Sequence, residues 1–177
     1  MAAPVAGISG AAPAWAQAPQ ARILPALSET LDYNGHWAID YPAGWVLDLS
    51  GFVVIASTPS AVGTLMMNNP LPTGTLAMGI VPPETNGLLG IVPGMSLEDA
   101  ARRVASIYAA SDVSVVPFET VAGPAVTASF ASVRMPGGSN LIVVDRDGTT
   151  FVVLVVVEDF AGATPLLQAM LATLRWI

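Results

Sequence analysis

Asp145-Arg146-Asp147-Gly148-Thr149-Thr150-Phe151-Val152-Val153-Leu154-Val155-Val156-Val157-Glu158 is the stretch that decides the fold. Asp147-Gly148 suits the two central positions of a tight hairpin turn, where both residues need a positive φ. The run from Phe151 to Val157 is apolar at every position, so neither face of a strand built from it suits water. An antiparallel strand of that kind has to lie in mid-sheet with cover on both sides.

Working outward, Asn140 to Arg146 forms the other arm of the hairpin, and Thr149 to Glu158 the strand after it. Val113 to Val121 and Val126 to Arg134 read as two earlier strands. Further upstream, Trp37, Ile39 and Tyr41 alternate with smaller or polar residues, as a half-buried strand requires. Pro42-Ala43-Gly44 turns the chain into Trp45 to Leu49, Ser50-Gly51 turns it into Phe52 to Ile55, and Leu76 to Val81 follows, ending at Pro82-Pro83. Cover for this sheet comes from two helices. Ser96 is a good N-cap with Asp99 three residues on, and Leu97, Ala101, Val104 and Tyr108 share one face. Glu98 with Arg102 and Asp99 with Arg103 are i, i+4 pairs, so a helix is predicted over Leu97 to Ala110. A second is predicted over Pro165 to Trp176, with Thr164 as cap, Pro165 at the first position, and Leu167, Met170, Leu171 and Leu174 in one stripe. The fold class is α+β, an antiparallel β-sheet flanked by helices.

The chain of 177 residues suits one domain with a sizeable core. Residues 1–18 form an Ala/Pro-rich segment that reads as signal-like or disordered, 19–32 as a connector and 33–177 as the single domain. Ala14-Trp15-Ala16 and Ala16-Gln17-Ala18 have the small-x-small form of a signal-peptidase site, which predicts an exported form beginning at Gln17 or Pro19. The segment lacks a basic n-region, and Pro4 and Pro13 interrupt its apolar stretch.

The order of strands, helix, four strands and C-terminal helix resembles the superfamily that includes the PsbP extrinsic subunit of photosystem II and the Mog-type Ran-binding nuclear import factors. Five stretches carry the resemblance: the first strand into Tyr41-Pro42-Ala43-Gly44-Trp45, the helix at Ser96 to Ala110, Val121-Ala122-Gly123-Pro124-Ala125, Asp147-Gly148 before an apolar strand, and Leu167 to Trp176. The resemblance implies a PsbP/Mog-like α/β/α sandwich, and members that work as extrinsic subunits, adaptors or assembly factors without a catalytic centre. Bacterial relatives are often exported, many of them as lipoproteins. This chain departs from the pattern in having neither a lipobox cysteine nor the lysines of an electrostatically docked subunit, so photosystem binding is not carried over.

Composition narrows the chemistry. Thirteen acidic residues stand against six arginines and no lysine, a formal net charge of −7. That balance argues against nucleic acid and against an electrostatic hold on anionic lipid. Without lysine there is no Walker A loop and no Schiff base; without cysteine there is no disulfide, thiolate metal site or cysteine nucleophile. The longest apolar run is far short of the roughly 20 residues of a membrane-spanning helix. His36 is the single histidine and no G-x-S-x-G is present, so a catalytic triad has little to draw on. Asp145-Arg146-Asp147-Gly148 opens like a calcium loop, but Val156 stands where the closing glutamate belongs. Trp37, Tyr41, Trp45, Phe52 and Phe130 occupy core-like strand positions rather than forming a sugar platform, and Arg102 and Arg103 lie on the polar side of their helix. No cofactor and no metal are expected.

Only 11% of the residues are charged and 53% are hydrophobic, so some apolar surface has to face a partner or be tucked under loops. The candidates are Leu65, Met66 and Met67 in the Gly/Pro-rich segment Thr58 to Thr75, and Leu88, Leu89 and Ile91 in Asn86 to Gly94. They are either a contact site or side chains folded back over a sheet edge. The expected function is that of a non-catalytic, exported, extracytoplasmic accessory or adaptor subunit. Its partner would be another protein, a membrane complex it associates with peripherally, or a second copy of itself as a homo-oligomer. The alternatives are a structural subunit of a surface or filamentous assembly, and a small-ligand carrier or hydrolase.

Overall fold

The computed structural model describes residues 24–132 and 139–177. Its elements in chain order are β1 (Leu27–Tyr33), β2 (Trp37–Pro42), β3 (Val46–Asp48), β4 (Val53–Ala56), α1 (Pro59–Met67), β5 (Leu76–Val81), a 3-10 turn (Pro83–Leu89), α2 (Leu97–Ile107), β6 (Ser111–Pro117), β7 (Ala125–Ala131), β8 (Ser139–Arg146), β9 (Thr149–Val157), α3 (Phe160–Ala172) and β10 (Arg175–Trp176). The signal-like segment and its cleavage sites lie outside the described residues, as does the end of the strand predicted to reach Arg134.

β9 sits in the middle of a seven-stranded antiparallel sheet of order β3-β4-β5-β9-β8-β7-β6, with Leu154 between Gly79 of β5 and Leu141 of β8. Burial explains that position, since every residue from Phe151 to Val157 is buried. On one face, Ile55, Met78, Ile142, Phe151, Val153 and Val155 pack with Leu167, Met170 and Leu171 of α3 and with Leu31, Trp37 and Ile39 of a small sheet of order β1-β2-β10. On the other, Leu141, Val143, Val152 and Leu154 meet Ala100, Ala101 and Val104 of α2, while Val54, Ala56 and Ala77 lie under Ala61 of α1. The result is three layers, α+β in class, with the large sheet in the centre.

Several boundaries differ from the sequence reading. β1 occupies part of the expected connector: Leu31 is its one fully buried residue, and the exposed Glu29 and Asp32 hide the alternation. α1 occupies a segment read as irregular. Thr58 caps it by accepting from the Ala61 amide at 3.3 Å, and it buries only Ala61 and Thr64. α3 begins at Phe160, because Asp159 accepts from the Gly162 amide at 2.8 Å and serves as the cap instead of Thr164. Pro165 therefore lies inside the helix, with both it and Ala161, whose carbonyl it leaves without an intrahelical donor, on the solvent side. The chain leaves the helix before Trp176; Arg175 and Trp176 instead pair with Ala38 and Trp37 as the third strand of the small sheet. α2 ends at Ile107, and Ala109, at φ 53°, turns the chain into β6.

Candidate functional site

His36 follows the β1–β2 turn, with its Nδ1 3.7 Å from Glu84 Oε1 and both side chains at least half exposed, at 62% and 50%. Asp147 and Gly148 have φ of 55° and 81° and form the two-residue connection between Arg146 and Thr149, so the hairpin reading of that dipeptide holds. Asp145 is engaged in the same turn, accepting from the Gly148 amide at 2.7 Å. Among the described residues, no three or more of His, Asp and Glu stand close enough together to hold a metal ion. Glu98 and Arg102 pair at 2.8 Å as expected. Asp99 departs from expectation: its carboxylate accepts from the Ser96 hydroxyl at 2.7 Å, and the Arg103 side chain lies instead over Gly90, where a Cβ would stand 2.6 Å from Arg103 Nε.

Among the described residues, two groups are shifted in acidity. The Ser50 amide donates to Asp48 at 2.7 Å and holds that carboxyl below its usual range. Burial pushes the Tyr108 phenol up.

Of the aromatics, Trp37 and Tyr41 are buried in the core, and Phe52 and Phe130 pack against it. Trp45 also packs there, but it borders a cavity of about 350 Å³ beside the start of α3, with Ser57, Thr75, Glu158 and Leu166 among its neighbours.

The six apolar candidates fall into different environments. Ile91 is 6% exposed and belongs to the core under α2, so it anchors its segment and offers nothing to a partner. Leu89 and Leu65 pack against the same cluster, and Leu65 also touches the cluster under α1, where Met66 packs. Met67 and Leu88 are exposed, at 76% and 86%. Val92, 57% exposed, belongs with Leu88 although the sequence reading passed over it. Ile91 and Val92 are adjacent and equally apolar, but neighbours in extended chain point to opposite sides, and only one of them can enter the core.

The segment carrying Leu88 and Val92 is locked by its backbone. The Thr85 amide donates to the Pro82 carbonyl at 2.9 Å, Gly90 to Gly87 at 3.1 Å, Ile91 to Asn86 at 3.0 Å and Met95 to Val92 at 3.1 Å. Asn86 Nδ2 ties the turn to the start of β9 through the Thr150 carbonyl at 2.8 Å. Gly90, at φ 71°, closes it in a left-handed conformation.

No family model matches the chain, and no curated protein matches it. Among solved structures, the solution structure of cyanobacterial PsbP (CyanoP) from Synechocystis sp. PCC 6803 is similar at 13% identity and a TM-score of 0.48, over 92% of this chain and 99% of that one. No helix among the described residues is long and apolar enough to cross a membrane.

Proposed function

We propose that the chain is a non-catalytic accessory subunit that holds another protein through the Pro83–Leu89 turn and the residues after it. The observation that carries this reading is the display of Leu88 and Val92 toward solvent by a turn that is closed at both ends by backbone hydrogen bonds and whose Ile91 is buried. A backbone already fixed before binding has little conformational entropy left to lose, which makes such a turn a preorganised contact. Met67, at the end of α1 in the same layer, is a further contact of this kind. The two small-x-small triplets near the start of the chain support an extracytoplasmic location.

Site-specific photo-crosslinking from position 88, in cells that express the full chain, tests the proposal. A discrete adduct that disappears in Val92→Ser is expected. An adduct indifferent to Val92, or none beyond that formed from an exposed control position such as Ser60, would refute it.

A second reading, carriage of a small apolar ligand, is supported by the 350 Å³ cavity beside Trp45, which falls in the size range of ligand sites. Ligand-dependent change in Trp45 fluorescence, abolished by Leu166→Trp, would favour it over the contact reading.

A further inference from the structure

β6 is the outer strand on one edge of the seven-stranded sheet. Its pairing with β7 uses alternate residues. The Phe118 amide donates to the Ala125 carbonyl at 3.0 Å, and the register runs Val116 to Thr127 and Ser114 to Ser129. Those residues turn their backbone groups inward, and Val115 and Pro117 therefore turn theirs outward. The Val113 carbonyl also faces out, where Arg102 Nη1 donates to it at 3.3 Å. Among the described residues no strand pairs with this edge, which thus offers the Val115 N–H and the carbonyls of Val115 and Pro117. Two groups are missing from a complete edge: Pro117 has no N–H, and the Val113 carbonyl is taken.

Edges of this kind are normally guarded by lysines, prolines, bulges or inward charges. This chain has no lysine. The bulge between Ser111 and Ser114, with Asp112 at φ 52°, guards the first half of the strand and leaves the second half regular. Asp112 is the one charged residue in β6, while Val116 is 50% exposed on the side away from α2.

We propose that a second copy of this chain pairs with this edge, β6 to β6 and antiparallel, about a two-fold axis through Val115. In that register each Val115 exchanges both backbone hydrogen bonds with its counterpart, and Ser114 stands opposite Val116 of the second copy. Val113 stands opposite Pro117 of the second copy, so its N–H lies beside that carbonyl. The reciprocal bond would need a Pro117 N–H, which does not exist, and the Val113 carbonyl, which Arg102 already satisfies. The two deficits of the edge fall on each other. A partner strand with an ordinary amide in that position would have to share the Val113 carbonyl with the Arg102 guanidinium, whereas a second copy brings Pro117 there and asks nothing of it, so self-pairing fits this edge better than a foreign strand. The two Val113–Arg102 contacts are four residues apart along the strand direction, about 14 Å, and do not collide. The pairing is isologous and closes at two copies. It uses none of the residues of the proposed contact turn.

Sedimentation of the full chain tests the proposal. The wild type is expected at twice the 18.1 kDa chain mass. Val115→Pro removes the outward N–H and trims a half-buried side chain at the margin of the cluster under α2, and it is expected at the single-chain mass with unchanged far-UV circular dichroism. A second test uses the absence of cysteine. In the proposed register, positions 114 and 116 of opposite copies are directly paired, whereas like-numbered positions lie about 8 Å apart, beyond disulfide reach. Ser114→Cys and Val116→Cys chains should therefore form a disulfide-linked dimer when mixed and oxidised, and neither should do so alone. A wild type that stays at 18.1 kDa at all concentrations, a dimer that survives Val115→Pro, or cysteine variants that link as readily alone as mixed would each overturn the proposal.

Discussion

The proposed contact turn makes a quantitative demand on two residues only three positions apart, Leu88 and Ile91. Leu88 is 86% exposed, so about a seventh of its side-chain surface is removed from water on folding. Full burial of a leucine stabilises by about 1.5–3 kcal/mol, and Leu88→Ser should therefore lose only about 0.2–0.4 kcal/mol. Ile91 is 6% exposed against Ala101 and Val104 in the cluster under α2. Its truncation opens a cavity, at a cost of about 2–5 kcal/mol, and a serine there adds a buried hydroxyl. A domain of this length loses about 2–4 °C of melting temperature per kcal/mol. Thermal unfolding followed by far-UV circular dichroism should thus show a fall below about 2 °C for Leu88→Ser and of about 4–20 °C for Ile91→Ser. Partner crosslinking, read here from a crosslinker at position 92, should respond in the opposite sense, with Leu88→Ser losing it in a fully folded protein. Equal destabilisation by the two variants would mean that Leu88 is a packing residue, and a Leu88→Ser protein that keeps both stability and partner would remove the turn from function.

Three other perturbations probe the frame that holds this turn. Leu154→Asp puts a carboxylate at a 2% exposed position between Gly79 and Leu141, which should cost several kcal/mol of a total near 5–15 and leave the chain unfolded or aggregated on size exclusion. Gly123→Ala would drive a Cβ into the Asp145 carbonyl oxygen, a backbone atom that cannot swing aside, so a loss of about 1–3 kcal/mol or more is expected by urea unfolding. Burial raises the Tyr108 phenol above its unfolded value, so the stability tied to it is complete below about pH 10 and is lost as pH rises through the folded value; Tyr108→Phe should retain more of its stability above pH 10, in an alkaline titration read by circular dichroism.

Legibility in the sequence tracked how much of each element's stability is local. The β8–β9 hairpin was legible because Asp147-Gly148 dictates the turn and Phe151 to Val157 can be satisfied only in mid-sheet. α2 was legible because its cap, its buried face and the Glu98–Arg102 pair all lie within the helix. α1 was not. Pro-Ser-Ala-Val-Gly-Thr-Leu-Met-Met has no clean apolar stripe, and what selects the helix is a shelf of small residues, Val54, Ala56 and Ala77, that accepts Ala61 at close range. β1 and β10 were hidden for the same reason. Each is completed by β2, a partner that neither segment announces, and Arg175 is held there by Asp40 at 3.1 Å, 135 positions earlier in the chain.

The site followed the same division. Low charge content led to the expectation that apolar surface either faces a partner or is tucked under loops; Leu88, Met67 and Val92 are exposed, whereas Leu65, Met66, Leu89 and Ile91 pack inward. Composition fixes an amount of surface but not its address. Leu88, Leu89, Ile91 and Val92 are chemically near-equivalent, and they were sorted by geometry alone: the 3-10 turn ending at Leu89, the left-handed Gly90 and the Ile91 amide bonded back to Asn86 send Ile91 under α2 and leave Leu88 and Val92 outside. Arg103 completes the arrangement by lying over Gly90 instead of pairing with Asp99, at a position whose left-handed backbone, φ 71°, already favours glycine. The turn is therefore built from inside, by one buried isoleucine and a set of backbone bonds, and its exposed residues contribute almost nothing to holding it. Side chains released from a structural duty in this way can change at little cost to folding, so under the proposed function a loss of partner in Leu88→Ser or Val92→Ser would report on the contact and not on the frame that carries it.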